Sequence, residues 1–307
     1  MIRKTFRLML CTLFSIAMLV ACAKSPQASE MATPTVPTHE PELVAIATVL
    51  PQNTIVAETP TAIPQETEII TMPTAEDWHL VVIGDSTLWG LGDAYAAQIE
   101  KDVGVKIVLE DYAVPDLSVG QVINSLKQEG TIRGELSGLS AAISDADVIV
   151  LYGNPRDSVI PENPGDVEGC LYDIGLPPKI CNPASFEKYI TDLKWVWGEI
   201  FRLRNGKPTI LRAMDFPNPW ISTWYETDTY LACTRCWENS SNAVRLAAEA
   251  YHIPFLSRYD AYNGVNHDED PREKGYIRSD GNHPNTLGAQ VIAELLAQMG
   301  YDPVPPP

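Results

Sequence analysis

The sequence predicts an α/β fold, a three-layer α/β/α sandwich built around a five-stranded parallel sheet in flavodoxin-like order. β-rich runs alternate with amphipathic helical runs from residue 79 to residue 300, as expected of strand–helix–strand units. The run at 145–154, DADVIVLYGN, has a continuous apolar centre, which is typical of a strand buried on both faces. Residues 77–303 also have a common length for one α/β domain.

The strands and helices are assigned in chain order. Short apolar runs predict five strands, at 79–84, 105–113, 145–154, 207–215 and 252–257. Apolar residues at helical spacing predict five helices, at 93–104, 117–128, 185–206, 238–251 and 285–300. Glycines mark three helix ends, at Gly104, Gly206 and Gly300, and Ser118 is the predicted cap of the second helix.

Residues 1–21 have the pattern of a secretory signal peptide. Three basic residues precede an uncharged, mostly apolar run from residue 8 to residue 21. The run ends in LVAC, which resembles the lipobox of bacterial lipoproteins and implies that Cys22 is lipidated. A transmembrane anchor is the alternative, but the run is shorter than the roughly 20 residues that span a bilayer. We expect an exported protein, lipid-anchored at the cell membrane or cell surface, with Cys22 as its only membrane contact.

Residues 22–76 are predicted to be a disordered, Thr/Pro-rich stalk. The segment 23–76 contains eight Pro and ten Thr but no Gly and no aromatic residue. Such a segment cannot bury enough apolar surface to offset the entropy of ordering. The formal net charge of the chain is −18, which repels nucleic acid. We therefore expect no nucleic-acid partner, and we also expect a monomer.

Four cysteines remain in the domain: Cys170, Cys181, Cys233 and Cys236. Because an exported protein meets oxidising conditions, we expect two disulfides. Local pairing, Cys170 with Cys181 and Cys233 with Cys236, is the first choice among three connectivities. A zinc site with four thiolate ligands is the alternative, but the spacing of the first pair is wide for metal ligands.

Polar residues follow the predicted strands at the carboxyl edge of the sheet, where ligands bind in such folds. Ser86 follows the first strand in IGDS, Asp116 follows the second, and Asn154 ends the third. Asp280 and His283 stand in SDGNHPN, after the fifth strand. A serine hydroxyl becomes a nucleophile when a base takes its proton and a carboxylate fixes the tautomer of that base. The pattern predicts Ser86 as nucleophile, His283 as base and Asp280 as its orienting group.

The oxyanion formed in such a reaction needs hydrogen-bond donors. The candidates are the backbone N–H groups of Ser86 and Asp116 and the side chain of Asn154. We expect no cofactor and no metal, because the triad is self-contained and the sequence has no phosphate-type Gly loop.

With IGDS as its first block and DGNHPN as its last, the chain resembles the SGNH (GDSL-type) hydrolases over residues 79–300. The resemblance implies the same three-layer sandwich, an ester hydrolase activity, and the roles already given to the five site residues. Two blocks depart from the family pattern. Asp116 stands where the family has Gly, and Tyr152 and Pro155 replace the first and last residues of G-x-N-D.

Each motif also has a structural interpretation. Ser86 would cap the following helix, Asp280 would be a turn residue, and His283 would cap the last helix. The joint occurrence of both motifs in their expected contexts favours catalysis.

Two long insertions, 155–184 and 215–237, are predicted to decide the substrate. The second contains three Trp and two Tyr, which suit stacking on sugar rings or an acyl groove, or else form a small core beneath the loop. We expect a small-molecule or glycan ester as substrate, with a small acyl group such as acetyl on extracellular carbohydrate. The alternatives are a lipase or lysophospholipase with the same triad, and a non-catalytic binding lipoprotein on the same scaffold.

Overall fold

The computed structural model describes residues 72, 77–127, 134–158, 170 and 183–307. The predicted signal peptide, Cys22, Cys181 and all of the predicted stalk except Met72 lie outside these residues. The strands are β1 Asp77–Gly84, β2 Lys106–Ala113, β3 Val148–Leu151, β4 Ile210–Met214 and β5 Phe255–Leu256. The helices are α1 Leu91–Val103, α2 Val119–Lys127, α3 Leu139–Asp145, α4 Glu187–Arg204, α5 Ile221–Glu226, α6 Tyr230–Glu249, α7 Arg258–Asn263 and α8 Thr286–Gln298.

The five strands form one parallel sheet in the order β2-β1-β3-β4-β5, which confirms the predicted fold class. The register pairs Gly84 with Ala113 and Ile83 with Leu151, and Leu151 with Ala213. The strands therefore end at one common edge, and the residues that follow them in the chain start from neighbouring positions.

Helices cover both faces of the sheet. α1 packs against α8, whereas α4 packs against α2, α3 and α6. All residues of β3 and β4 are buried, because central parallel strands are covered on both faces. None of the described helices has the length and apolar character needed to cross a membrane.

Two glycines let the chain pass closely at the carboxyl edge. A Cβ atom on Gly84 would lie 2.6 Å from Leu88 Cδ1 and 3.0 Å from the Tyr152 carbonyl oxygen. A Cβ atom on Gly153 would lie 2.7 Å from Leu193 Cδ2. Gly84 lies two residues before Ser86, and Gly153 directly precedes Asn154. The backbone that carries these two predicted site residues is therefore crowded at the glycines, where a side chain would contact its neighbours too closely.

The helix predicted at 238–251 begins earlier in the structure. α6 starts at Tyr230, and the segment read from the sequence as a loop also contains α5. Cys233, Cys236 and Trp237 are all buried on one side of α6, at a spacing typical of an amphipathic helix. α3, a short helix directly before β3, is not predicted by the sequence pattern.

The predicted disulfide pairing is wrong. Cys170 is bonded to Cys233, with a Cα–Cα distance of 5.0 Å, and not to Cys181. Cys233 is consequently not bonded to Cys236, which is itself disulfide-bonded. The reason is that Cys233 lies on the buried face of a helix, and this face meets Cys170. The bond links the insertion at 155–184 to α6, and it also excludes a zinc site of four thiolates.

Candidate active site

Ser86 opens a single 3₁₀ turn, Ser86–Leu88, directly after β1. The cap of this turn is the buried Asp85, whose carboxylate accepts hydrogen bonds from the Thr87 N–H at 2.9 Å and the Thr87 hydroxyl at 2.7 Å. α1 begins only after Gly90 and has no side-chain cap. Ser86 is therefore not the helix cap that the structural interpretation required, and its hydroxyl is available for another contact.

That contact is with His283, 197 residues further along the chain. Ser86 Oγ lies 3.0 Å from His283 Nε2. His283 does not cap α8, because the cap of that helix is Asn285, whose side chain accepts from the Gly288 N–H. The side chain of His283 is 20% exposed, so solvent and a substrate can reach the pair.

Asp280 lies on the other side of the imidazole ring. Its Oδ2 is 3.1 Å from His283 Nδ1, and its Oδ1 accepts from the backbone N–H groups of Asn282 and His283 at 2.9 and 3.0 Å. These hydrogen bonds, the one from the His283 N–H above all, lower the pKa of the Asp280 carboxyl to about 2. Asp280 is therefore both a turn residue and an ionised partner of His283 at any pH well above 2.

Two further side chains hold the imidazole in place. The Trp89 ring stacks on His283 with centroids 4.6 Å apart and planes 22° apart, and its indole N–H donates to the Ala113 carbonyl at 3.1 Å. The Arg278 guanidinium lies 5.4 Å from the Trp89 ring centroid, and its Nε donates to the Pro284 carbonyl. The histidine is thus fixed by a stacked ring as well as by Asp280.

Asp116 lies in a tight turn after β2. The turn is closed by the Leu117 N–H, which donates to the Val114 carbonyl at 3.1 Å, and Pro115 precedes Asp116. Asp116 has a φ of +57°, in the left-handed region that glycine adopts more readily than other residues. Its side chain is 75% exposed and lies 3.8 Å from Arg156, so the carboxylate points to solvent and faces a cation.

Asn154 is buried directly beside the Ser86 turn. Its side-chain nitrogen donates to Asp85 Oδ2 at 2.6 Å, its Oδ1 accepts from the Arg156 N–H, and its carbonyl accepts from the Val119 N–H. Among the residues that the structure describes, neither the Ser86 N–H nor the Asp116 N–H is assigned an acceptor. The three predicted donors follow three neighbouring strands, and their part in catalysis stays a prediction.

The aromatic residues of the second insertion are mostly inside the molecule. Trp237 is fully buried, and Trp220 and Trp224 contact it edge-on at 5.7 and 5.4 Å between centroids. Tyr225 is 52% exposed and stacks on Tyr230 at 4.2 Å. The tryptophans therefore form a small core beneath the insertion, as the alternative interpretation held, and the surface of the insertion is offered by the tyrosine pair and the partly exposed Trp220.

Several residues of the site were missed in the sequence. Asp85, Trp89 and Arg278 each contact Ser86, His283 or their immediate neighbours. Asp85 and Trp89 stand in the GDSTLWG run itself, so their nearness to Ser86 was visible. Arg278 carried no signal beyond standing five residues before His283.

The same α/β fold is found in solved structures of known hydrolases. The lipase Lip_vut3 from a goat rumen metagenome is 18% identical, with 73% of this chain and 98% of that chain covered and a TM-score of 0.50. An acetyl xylan esterase from Geobacillus stearothermophilus is 16% identical, with 73% and 95% covered and a TM-score of 0.44. The sequence matches no protein-family model and no curated protein. At these identities the likeness establishes the fold and assigns no activity.

Proposed function

We propose that the chain is a serine ester hydrolase that uses Ser86, His283 and Asp280 as a catalytic triad. The observation that carries the proposal is the hydrogen-bonded series from Ser86 Oγ to His283 Nε2, at 3.0 Å, and from His283 Nδ1 to Asp280, at 3.1 Å. A nucleophile, a base and an orienting carboxylate within hydrogen-bonding distance are the constellation that acyl transfer needs.

In the first half of the reaction, Ser86 Oγ attacks the ester carbonyl carbon while His283 Nε2 takes the hydroxyl proton. The tetrahedral intermediate collapses as His283 returns this proton to the departing alcohol, which leaves an acyl group on Ser86. A water molecule, deprotonated by His283, then attacks the acyl carbon, and His283 returns the proton to Ser86 Oγ as the bond to the acyl group breaks and the acid leaves. Asp280 stays ionised throughout and stabilises the imidazolium.

The backbone N–H groups of Ser86 and Asp116 and the amide of Asn154 are the proposed donors to the oxyanion. The exposed, Arg156-facing position of the Asp116 carboxylate supports this role, because the negative charge is directed away from the site. Asp85 supports it further, since it binds both the Ser86 turn and the Asn154 side chain and so holds two of the donors together.

The proposed substrate is a small acyl ester, such as an acetyl group on extracellular carbohydrate. A cavity of about 340 Å³ borders Trp89 and is lined in part by Asp93, Arg278 and Gln290, side chains that suit sugar hydroxyls. The exposed large apolar residues of the described chain are spread over several elements: Val103, Val108, Tyr225, Leu231, Leu246, Val265 and Leu287. An apolar lip for long acyl chains is thus not supported by the described surface.

We also propose that the protein is exported and tethered through a lipidated Cys22, with the Thr/Pro-rich segment as a spacer. This proposal rests on the sequence pattern of residues 1–76 alone. Metabolic labelling with a radioactive fatty acid tests it: label should enter the wild-type chain and not a Cys22→Ala variant. Equal labelling of both proteins would contradict the anchor.

Hydrolysis of p-nitrophenyl acetate by the purified full chain tests the activity. We expect Ser86→Ala to lower kcat by at least about a thousandfold, since the nucleophile cannot be replaced. Ser137→Ala, at an exposed serine before α3, is the matched control and should leave kcat unchanged. If wild-type and Ser86→Ala proteins give the same background rate, the chain is a binding protein and the proposal fails.

The substrate class needs a separate measurement. Wild-type protein should release acetate from acetylated xylan and should hydrolyse p-nitrophenyl palmitate and lysophosphatidylcholine at less than about a tenth of its rate on p-nitrophenyl acetate. Efficient turnover of the two lipids, with no acetate released from the polysaccharide, would overturn the substrate and leave the ester hydrolase itself in place.

A further inference from the structure

A buried arginine lies under the turn that carries Ser86. Arg258 is the first residue of α7, and only 2% of its surface is exposed. The element before it is β5, the edge strand on the opposite side of the sheet from β2. None of the sequence motifs includes Arg258, and the mechanism above does not use it. Because a buried charge is costly unless its donors are bound, its contacts identify what it holds.

All three of its guanidinium nitrogens donate hydrogen bonds. Nη1 donates to the Thr87 carbonyl at 2.8 Å, and Nη2 donates to the Thr87 hydroxyl at 3.2 Å. Nε donates to the Asp215 carbonyl, at the end of β4, at 2.5 Å. One rigid, planar group therefore binds the residue directly after Ser86 at two points and the central sheet at a third.

The main chain of Arg258 and the side chain of Thr87 are also held by hydrogen bonds. The Arg258 N–H donates to the fully buried Asp215 carboxylate, which also accepts from Ser241 and Ser257. The Thr87 hydroxyl, besides accepting from Arg258, donates to Asp85, and Asp85 accepts from Asn154. The ends of β1, β3 and β4 are thus connected by a continuous series of polar contacts that passes through Thr87.

The Tyr152 ring completes the arrangement. The Arg258 guanidinium lies 4.8 Å from its centroid, and the ring is buried and also packs against Phe216 at 5.4 Å. Tyr152 is the residue that departs from Gly in the third family block. A tyrosine at this place supplies a face on which the guanidinium stacks, which a glycine cannot do.

We propose that Arg258 is a positioning residue for the hydrolytic reaction: it fixes the Thr87 backbone, and through it the direction of the Ser86 hydroxyl and N–H. The inference rests on the proposed function of Ser86. Arg258 touches neither the substrate nor the reacting atoms, and acts only through Thr87. A displacement of about 1 Å at the nucleophile lowers an enzymatic rate by roughly a hundredfold, so the loss of this contact should be visible in kcat.

Arg258→Met removes the donors and keeps most of the buried length, and Arg258→Lys keeps the charge with a single donor centre. Arg204→Met is the matched control. Arg204 is also buried, at 3% exposure, and donates to Thr209 and the Ser144 carbonyl, but it stands near the starts of the strands and away from Ser86. All variants are compared as full chains by urea unfolding, by kcat and KM on p-nitrophenyl acetate, and by hydrogen exchange of the amides in 84–90.

We expect Arg258→Met to lower kcat by about tenfold to a hundredfold, with KM within threefold of wild type, and to raise amide exchange at Thr87–Trp89. Arg258→Lys should show the same changes to a smaller degree. Arg204→Met should lower the urea midpoint and leave both kcat and the amide exchange at Thr87–Trp89 unchanged. A folded Arg258→Met with wild-type kcat and exchange overturns the proposal, and so does an equal loss of kcat in both methionine variants.

If Arg258→Met does not fold, Arg258→Lys takes its place. Wild-type kcat and amide exchange in folded Arg258→Lys, or a loss of kcat equal to that of Arg204→Met, then overturn the proposal. If wild type and Ser86→Ala hydrolyse the ester equally, the proposed function fails, and hydrogen exchange alone then decides the positioning role: unchanged protection of Thr87–Trp89 in a folded Arg258 variant would exclude it.

Discussion

At the scale of single residues, the site depends on side chains that each serve two contacts. Asp280 binds two backbone N–H groups with Oδ1 and the His283 ring with Oδ2. Asp85 caps the Ser86 turn with one oxygen and binds Asn154 with the other. Carboxylates suit this task because two oxygens accept from several donors at once. The local turns and the geometry of the candidate site therefore depend on the same atoms.

Substitution of Asp280 separates these two contacts. Asp280→Asn keeps an oxygen for the N–H groups of Asn282 and His283 but presents an N–H to the imidazole, which favours the wrong tautomer of His283. We expect kcat to fall by about a thousandfold or more while the urea midpoint stays near that of wild type. Asp280→Ala loses both contacts and should lower both quantities. An Asp280→Asn enzyme with more than a tenth of wild-type kcat would exclude Asp280 from the triad.

At the scale of elements, short turns after the strands carry residues of the candidate site, and each turn is held by its own hydrogen bonds. The Ser86 turn is capped by Asp85 and bound by Arg258, and the Asp116 turn is closed by a backbone hydrogen bond from Leu117. Asp116 holds a positive φ without being glycine, which an aspartate tolerates better than most residues. Asp116 therefore holds a backbone conformation that favours glycine.

The Asp116 turn gives a prediction about backbone and side chain. Asp116→Gly should have a kcat equal to or above that of wild type, because glycine favours the positive φ and the carboxylate is removed. Asp116→Ala should have a lower kcat, since the left-handed conformation costs an alanine roughly 1 kcal/mol. Steady-state kinetics on p-nitrophenyl acetate distinguish the two. Inactive Asp116→Gly protein would show that the carboxylate itself contributes.

At the scale of the whole molecule, the sheet buries a carboxyl group whose ionisation affects global stability. Asp215 is fully buried, and burial raises its pKa to about 6, although hydrogen bonding from Ser241 and the Arg258 charge act in the opposite direction. In the unfolded chain the carboxyl has a pKa of about 3.9. The native protein thus holds this proton to a higher pH than the unfolded chain does.

The Asp215 contribution to the free energy of unfolding should therefore decrease as pH rises from about 4 to about 6 and be constant above. Asp215→Asn, which is uncharged and of similar size, serves as the reference. The difference in unfolding free energy between wild type and Asp215→Asn, measured by urea titration at several pH values, should fall across this range. A difference that is independent of pH, or that rises, would contradict a raised pKa.

The sheet class and the main site residues were predictable because their signals are local. Continuous apolar runs indicate buried parallel strands, and IGDS and DGNHPN placed Ser86 and His283 at strand and helix ends. The 3₁₀ turn, the early start of α6 and the cysteine partners were not predictable in the same way. Each depends on which face of an element meets another part of the chain.

By itself, the sequence determined the order of the strands and helices and the pairing of two distant motifs, because periodicity and short motifs are written in neighbouring residues. Only the tertiary structure decided that Cys170 bonds to Cys233, that Asp85 rather than Ser86 caps the turn, and that Arg258 binds Thr87 across 171 positions of sequence. Such contacts follow from side-chain direction and packing across the sheet edge, which no local pattern specifies.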